Sequence, residues 1–272
     1  MHYHRLAQRG WTNFMRRRFL ADEIVADRAI LTGDHAAHLY RVLRARPGQE
    51  FDVAGQGRVR RGRIVEADEK RVVFTLGEDV AGAEAAHPAV HLWLAVFKFD
   101  RMEWAIEKAT ELGAARIVPL ITARTEAHLG AAAARRVERW RRIAREASQQ
   151  SRRIAEPEIA EPEKLRREAL AVAGRRLLLS ESEKQVSLRV ALEASRTPPR
   201  AERSTAAESC LPMADAGAGP IHLAVGPEGG WTEAEKKLYD ECGWQAVSLG
   251  PTILRAETAA VAALAIVLSE IG

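Results

Sequence analysis

From residue 90 to the C-terminus, short apolar runs of strand length alternate with segments of helical periodicity. That order joins parallel strands through covering helices. The strand-like runs are 91–97, 116–122, 177–179, 221–225 and 246–249. One helix is expected over 101–112, opened by a capping box of Asp100 with Glu103 and stopped by Gly113, and a longer one over 131–153. Between the last two strands lies a helix with Thr232 as N-cap, Glu235 three residues on and Gly243 as its stop. A final helix runs over 256–270, where Val261, Leu264, Ile266, Val267 and Leu268 spread round most of the circumference, so burial on most sides is expected. The class is α/β, a mostly parallel sheet with helices on both faces.

The chain before residue 90 reads differently. Strand-like segments at 19–20, 50–53, 58–65 and 71–76 are separated by turn signals at 47–48, 55–57 and 68–69, with one short helix over 34–44. Such a pattern predicts a small β-barrel over 15–84, followed by a linker within 77–88. Residues 1–14 precede a second methionine, Met15, and carry neither periodicity nor caps, so a disordered extension is expected. Residues 193–220 are rich in Pro, Ser, Ala and Gly and are expected to form a flexible loop within a C-terminal domain of residues 88–272.

Composition closes off several classes. With 47% hydrophobic and 29% charged residues, the 272-residue chain has material for a sizeable core. No apolar run reaches the ~18 residues of a membrane span, and the N-terminus lacks the apolar region of a secretory signal. Two cysteines, Cys210 and Cys242, supply neither a disulfide framework nor a four-cysteine metal site, and the histidines lack ligand spacing. A reduced, cytoplasmic setting without metal or membrane is expected. No glycine loop ends in Gly-Lys-Ser/Thr, and no Gly-x-Gly-x-x-Gly follows a first strand, so nucleotide sites of those kinds lack support.

The most informative stretch is Val225-Gly226-Pro227-Glu228-Gly229-Gly230-Trp231-Thr232, which leaves an apolar strand and enters a capped helix. Open α/β sheets place ligands at such carboxyl ends, and glycines let backbone amides approach a ligand closely. A second stretch, Ser248-Leu249-Gly250-Pro251-Thr252-Ile253-Leu254-Arg255-Ala256-Glu257, repeats strand, glycine turn and helix, and predicts an arginine and a glutamate buried together at the helix entrance. Two such corners on one sheet edge favour a pocket over a pair of plain turns.

Charge is the remaining signal. The net charge is only +4, yet the pI is about 9.3 and the arginines cluster. Along 131–153, Arg135, Arg139, Arg142 and Arg145 form one stripe and Arg141, Arg145, Gln149 and Arg152 an adjacent one, backed by Val137, Trp140, Ala144 and Ala147 as the buried face. A second group, Arg16, Arg17 and Arg18 with Arg41, Arg44 and Arg46, lies in the small domain. Two basic clusters on separate domains suit a surface that tracks phosphates.

Taken in order, these motifs resemble the bacterial 16S ribosomal RNA uracil-N3 methyltransferase family (RsmE) of the SPOUT superfamily. The resemblance rests on the Gly226–Gly230 loop, on Leu249-Gly250 with Ile253-Leu254-Arg255-Ala256-Glu257-Thr258-Ala259, and on Met102-Glu103-Trp104 and Lys108-Ala109-Thr110-Glu111-Leu112-Gly113. It continues through Arg139-Trp140 and Glu146-Ala147-Ser148-Gln149-Gln150-Ser151-Arg152, and residues 17–19 and 38–48 are similar to the family's PUA-like RNA-binding barrel. It implies a trefoil knot at the C-terminal end and a homodimer through the last helix. It also implies S-adenosyl-L-methionine held by Leu179, Ser180, Gly226, Pro227, Glu228, Gly229, Gly230, Leu249, Gly250, Ile253 and Leu254. The substrate it implies is 16S rRNA, free or in the assembled small subunit, methylated at N3 of the decoding-region uridine 1498.

Uracil N3 carries a proton at neutral pH, so an enzyme must expose that edge and favour the anion. Arg255 is the candidate for stabilising negative charge on the base oxygens. Glu228 or Glu257 is either the base or the group that orients Arg255. Two other readings stay open at this point: a related methyltransferase acting on another site such as a ribose 2′-hydroxyl, and a non-catalytic RNA-binding module.

Overall fold

The computed structural model describes residues 18–80, 88–151, 153–194 and 219–271. The expected extension over 1–14, Arg16, Arg17, Arg152, and most of the expected linker and of the 193–220 loop lie outside these residues. Two compact units are present, 1–84 with 148–156, and 85–147 with 157–272.

In the first unit, six strands form a curled sheet. β1 (Arg18–Leu20), β2 (Glu23–Val25), β3 (Arg28–Thr32), β4 (Glu50–Gly55), β5 (Arg58–Ala67) and β6 (Arg71–Asp79) lie in the order β1-β4-β5-β6-β3-β2, antiparallel except for β1 on β4. The two edge strands are consecutive in sequence, with only Ala21 and Asp22 between them. The Ala21 amide donates to Ala54 at one edge and the Asp22 amide to Ile30 at the other, each at 2.9 Å. Six flat strands would span about 24 Å, beyond the reach of that link, so the sheet curls until its edges meet. Gly62 lies at a register shift in β5, where a Cβ would stand 2.5 Å from Val53 Cγ2.

The helix expected over 34–44 is present as α1 (Gly33–Ala37) followed by a π turn over His38–Val42, and it buries Ala36 and Leu39 against Phe19, Leu31, Ile64 and Phe74. β2 and β3 escaped the sequence reading because Ala29 and Leu31 offer only one apolar alternation. The 148–156 segment also belongs to this unit, where Ile154 packs on Leu20, Ala54 and Val59.

The second unit has the α/β architecture that the alternation demands. Its elements are β7 (Val90–Ala95), α2 (Phe99–Leu112), β8 (Arg116–Ile121), α3 (Ala127–Ala133) and α4 (Val137–Gln150). There follow β9 (Glu158–Ile159), β10 (Glu163–Lys164), α5 (Arg167–Leu170), β11 (Arg175–Leu179), α6 (Leu188–Ala194) and β12 (Ile221–Val225). α7 (Glu233–Glu241), β13 (Gln245–Val247) and α8 (Ala256–Ile271) complete the chain. All strand pairs are parallel, in the order β10-β8-β7-β12-β11-β13, with β9 also on β8. Side chains alternate across the sheet. Leu92 and Leu94 enter a core with Ile106, Trp140, Leu223 and Leu264, while Trp93 joins Ala224, Trp231, Tyr239 and Trp244 on the opposite face.

Local structure differs from expectation at three places. The 131–153 helix is α3, a 3-10 turn over Ala134–Arg136, and α4. Its buried face is Val137, Trp140, Ala144 and Ala147, as the periodicity requires. At α2 no capping box forms. The helix starts from Lys98, placing Asp100 inside the first turn, and Glu103 accepts from Arg139 Nε and Nη2 at 2.7 and 2.8 Å. A bidentate guanidinium is the stronger partner for that carboxylate. Finally, α8 buries one face (Ala256, Glu257, Ala260, Ala263, Leu264, Val267), while Val261, Ile266 and Leu268 stay half-buried. Burial on most sides is therefore incomplete in the single chain.

Candidate active site

Three loops leave one sheet edge side by side. β11 pairs with β12 on one flank (Leu178↔Ala224) and β13 on the other (Leu179↔Val247), so the residues after Leu179, Val225 and Val247 emerge together at the carboxyl ends. The outer two strands of such a trio stand about 10 Å apart. The Ser180 amide donates to Val247 at 3.0 Å, and Ser180 Oγ lies 2.9 Å from Ser182 Oγ. Trp231 folds back and its indole N–H donates to the Leu179 carbonyl at 2.9 Å, fastening the Gly226–Gly230 loop to the end of β11.

Glycine is required at two positions here. A Cβ on Gly226 would lie 3.0 Å from the Trp231 indole, and Gly230 has φ +69°, closing its turn through a 2.8 Å bond to the Pro227 carbonyl. On the third loop Gly250 has φ +129° with nothing within 4 Å of its missing Cβ, and Ile253 is 78% exposed beside a half-buried Leu249 and Leu254. The Thr232–Glu235 capping box that starts α7 forms in full. The buried Glu235 does more than cap. Its Oε1 accepts from the Ala123 amide at 2.8 Å, tying the loop after β8 to the start of α7.

Sequence reasoning placed Arg255 in a buried pair with a glutamate. The structure corrects this: Arg255 is exposed, and no ion pair of its side chain occurs among the described residues. The guanidinium that meets the glutamates is Arg101 of α2, with Nη1 2.5 Å from Glu228 Oε1 and Nε 3.8 Å from Glu257 Oε1. Glu257 is buried at the head of α8, and its Oε2 has no hydrogen-bond partner among the described residues. Arg101 was missed because its partners stand 127 and more residues away; its place directly before the Met102-Glu103-Trp104 motif was the available sequence signal.

The basic residues divide. Arg135, Arg142 and Arg145 share an exposed face with Arg139, which is bound to Glu103, while Arg141 is held by Glu138, Glu161 and the Ile159 carbonyl. In the first unit Arg41 pairs with Glu69, Arg44 is exposed with φ +52°, and Arg18 is half-buried. Gln149 there hydrogen-bonds His35 Nδ1 at 2.8 Å. No group of three or more metal-ligating side chains comes together among the described residues, and none of their helices is long and apolar enough to cross a membrane.

Comparison with known proteins places this architecture in the class of RNA methyltransferases. A family described as RNA methyltransferase domain matches residues 84–268, and one described as RNA methyltransferase PUA domain matches residues 31–77. The ribosomal RNA small subunit methyltransferase E of Mycobacterium bovis is 32% identical over 238 residues, covering 87% of this chain and 84% of its own length. That of Synechocystis is 35% identical over 245 residues, covering 90% of this chain and 74% of its own. A crystal structure of the Neisseria gonorrhoeae enzyme of that name, bound to S-adenosyl methionine, superposes with a TM-score of 0.72 at 28% identity, covering 93% of this chain and 97% of that one. The chain belongs to the ribosomal RNA small subunit methyltransferase E family.

Proposed function

We propose that this protein transfers a methyl group from S-adenosyl-L-methionine to N3 of a uridine in 16S rRNA, the decoding-region uridine 1498. The observation that carries the reading is the trio of adjacent loops, two of them hinged on positive-φ glycines, at the carboxyl edge of a parallel sheet. The cradle fits the cofactor. Leu179, Leu249, Ile253 and Leu254, at the exits of β11 and β13, would face a flat adenine, and Ser180 with the backbone at Gly226, Pro227, Glu228, Gly229, Gly230 and Gly250 would meet its polar edges. S-adenosylmethionine supplies a methyl carried on a sulfonium, which needs only a correctly placed nucleophile.

The chain's residues then orient the acceptor and manage its proton. Arg255, exposed at the end of the third loop, stabilises negative charge as it spreads onto the base oxygens. Glu228 takes the N3 proton or passes it to water, and Arg101 fixes its direction. Glu257 shares that guanidinium and anchors the head of α8. Arg16, Arg17, Arg18, Arg41, Arg44, Arg139, Arg142, Arg145, Gln149 and Arg152 form the RNA-facing set, with Arg139 held in place by Glu103.

The sheet path supports a knot: α8 follows the edge strand β13 yet packs on α2, β7 and β12. The half-buried apolar side of α8 supports a homodimer, and the RNA substrate, free or in the small subunit, supports a cytoplasmic site of action.

Mass spectrometry of 16S rRNA nucleosides from a deletion strain, with and without the restored gene, tests the reading. N3-methyluridine should vanish and return; a 2′-O-methyl product in its stead overturns the assignment. Arg255→Ala should keep the fold and cofactor affinity while turnover falls by about a hundredfold or more.

A further inference from the structure

The strand order reverses between β7 and β12. From β7 the chain runs outward through β8 to β10, then returns on the other flank through β11 and β12. Such reversals leave a crevice beyond the strand ends. Here it is a small cleft of about 170 Å³, open to solvent, with Phe97, Lys98, Arg124, Glu126, Pro227 and Glu228 on its walls. It borders the trio of loops described above, with Pro227, Glu228 and Gly229 of the Gly226–Gly230 loop on its wall. Gly230 marks how thin the divide is: a Cβ there would lie 3.9 Å from both Arg124 Nη1 on the cleft side and Glu181 Oε2 on the β11 side.

Two of the charges in the cleft, Arg124 and Glu228, are held in position. Arg124 sits on the loop that Glu235 ties down through Ala123, and its Nη1 donates to the Gly229 carbonyl. Thr125 in the same loop donates to the Val96 carbonyl at 3.2 Å. One N–H of five is thereby used, and no other partner of the Arg124 guanidinium occurs among the described residues. Lys98 is exposed at the head of α2, likewise without an ion pair among them. Of the two carboxylates, Glu228 is oriented by Arg101 at 2.5 Å, and Glu126 lies 3.5 Å from His128 Nδ1.

Lys98 and Arg124 offer donors, and Glu228 and Glu126 acceptors, to whatever enters. Uracil's pairing edge is the complement: a carbonyl oxygen, an N–H and a second carbonyl oxygen. Cytosine places an amine against a cation and a bare ring nitrogen against a carboxylate, leaving polar groups unpaired. We propose that this switch-point cleft is the acceptor-base pocket, in which Lys98 and Arg124 read the two uracil oxygens while Glu228 receives N3–H. The proposal rests on the uridine reading above and adds the residues that select the base. Each carbonyl oxygen accepts two hydrogen bonds, so one cation does not exhaust it.

The test uses the full-length protein, small ribosomal subunits lacking the modification, and the same subunits with cytidine at the target as a competitor. Lys98→Met and Arg124→Met should each lower kcat/KM by about 10- to 100-fold, the loss expected for one charge-assisted hydrogen bond. Calorimetric affinity for S-adenosylmethionine should stay within about twofold for Lys98→Met, whose side chain lies outside the cofactor loops. The preference for uridine over the cytidine competitor, strong in the wild type, should shrink in both variants. A lost contact that was only structural would lower turnover without changing that preference. Wild-type rates and preference in both variants overturn the pocket alone, whereas a wild-type protein that forms no N3-methyluridine overturns the parent reading with it.

Discussion

His222, the second residue of β12, makes the stability of the second unit depend on pH in a calculable way. Its Nδ1 accepts from the Trp93 indole at 3.0 Å, and its Nε2–H donates to the Ala173 carbonyl at 2.9 Å, so both nitrogens are committed in the neutral ring. Burial is the main force lowering its pKa from 6.5 to about 4; the bond to Ala173 opposes the shift, and His91, Arg176 and Arg116 add to it. The unfolded chain therefore binds a proton that the folded one refuses. Stability is fully present above the unfolded pKa and declines as pH falls toward the folded one. The full shift corresponds to about 3 kcal/mol, of which about 2 kcal/mol is lost by about pH 5. His91 is shifted in the same direction, chiefly by burial, and steepens the decline. Urea denaturation of wild type and His222→Gln from about pH 7 to about pH 5 measures the effect, because glutamine can keep both hydrogen bonds without titrating. The variant should lose about 2 kcal/mol less over that interval. Equal acid losses in the two proteins would refute the assignment of the decline to this ring.

Two further outcomes follow from the loop geometry. Gly226→Ala brings a methyl to 3.0 Å from Trp231, whose indole must move and weaken its bond to Leu179; calorimetry with S-adenosylmethionine should show affinity reduced about tenfold, with circular dichroism unchanged. Glu235→Ala removes the carboxylate half of the α7 capping box and the Ala123 tie, leaving the backbone bond to the Thr232 hydroxyl, which should cost about 1–3 kcal/mol in urea denaturation and lower turnover by freeing the Arg124 loop.

Legibility followed the range over which each feature is determined. The Thr232–Glu235 cap closes within four residues, and it formed as read. The equally plausible Asp100–Glu103 cap failed because Arg139, 36 residues on, offers Glu103 two hydrogen bonds. The buried face of α4 was readable from period alone. Its arginines were readable as a stripe, though not as free or engaged, since Arg141 turns toward Glu161 and Ile159 from other elements. Arg101 and Arg255 are the sharpest contrast. Both are arginines in the first turn of a helix or just before one, and only the packing of α2 beside α8 decides that Arg101 meets Glu228 and Glu257 while Arg255 stays in solvent.

What the sequence determined by itself is therefore what short-range sterics and periodicity impose: alternating parallel strands and helices, glycine-hinged exits at 226–230 and 250, and one capped helix. Strand order, and with it the crevice between β7 and β12, was decided by the tertiary structure. Parallel strands of similar apolar content are interchangeable until the helices between them must each find a face to cover, and that competition involves the whole chain at once.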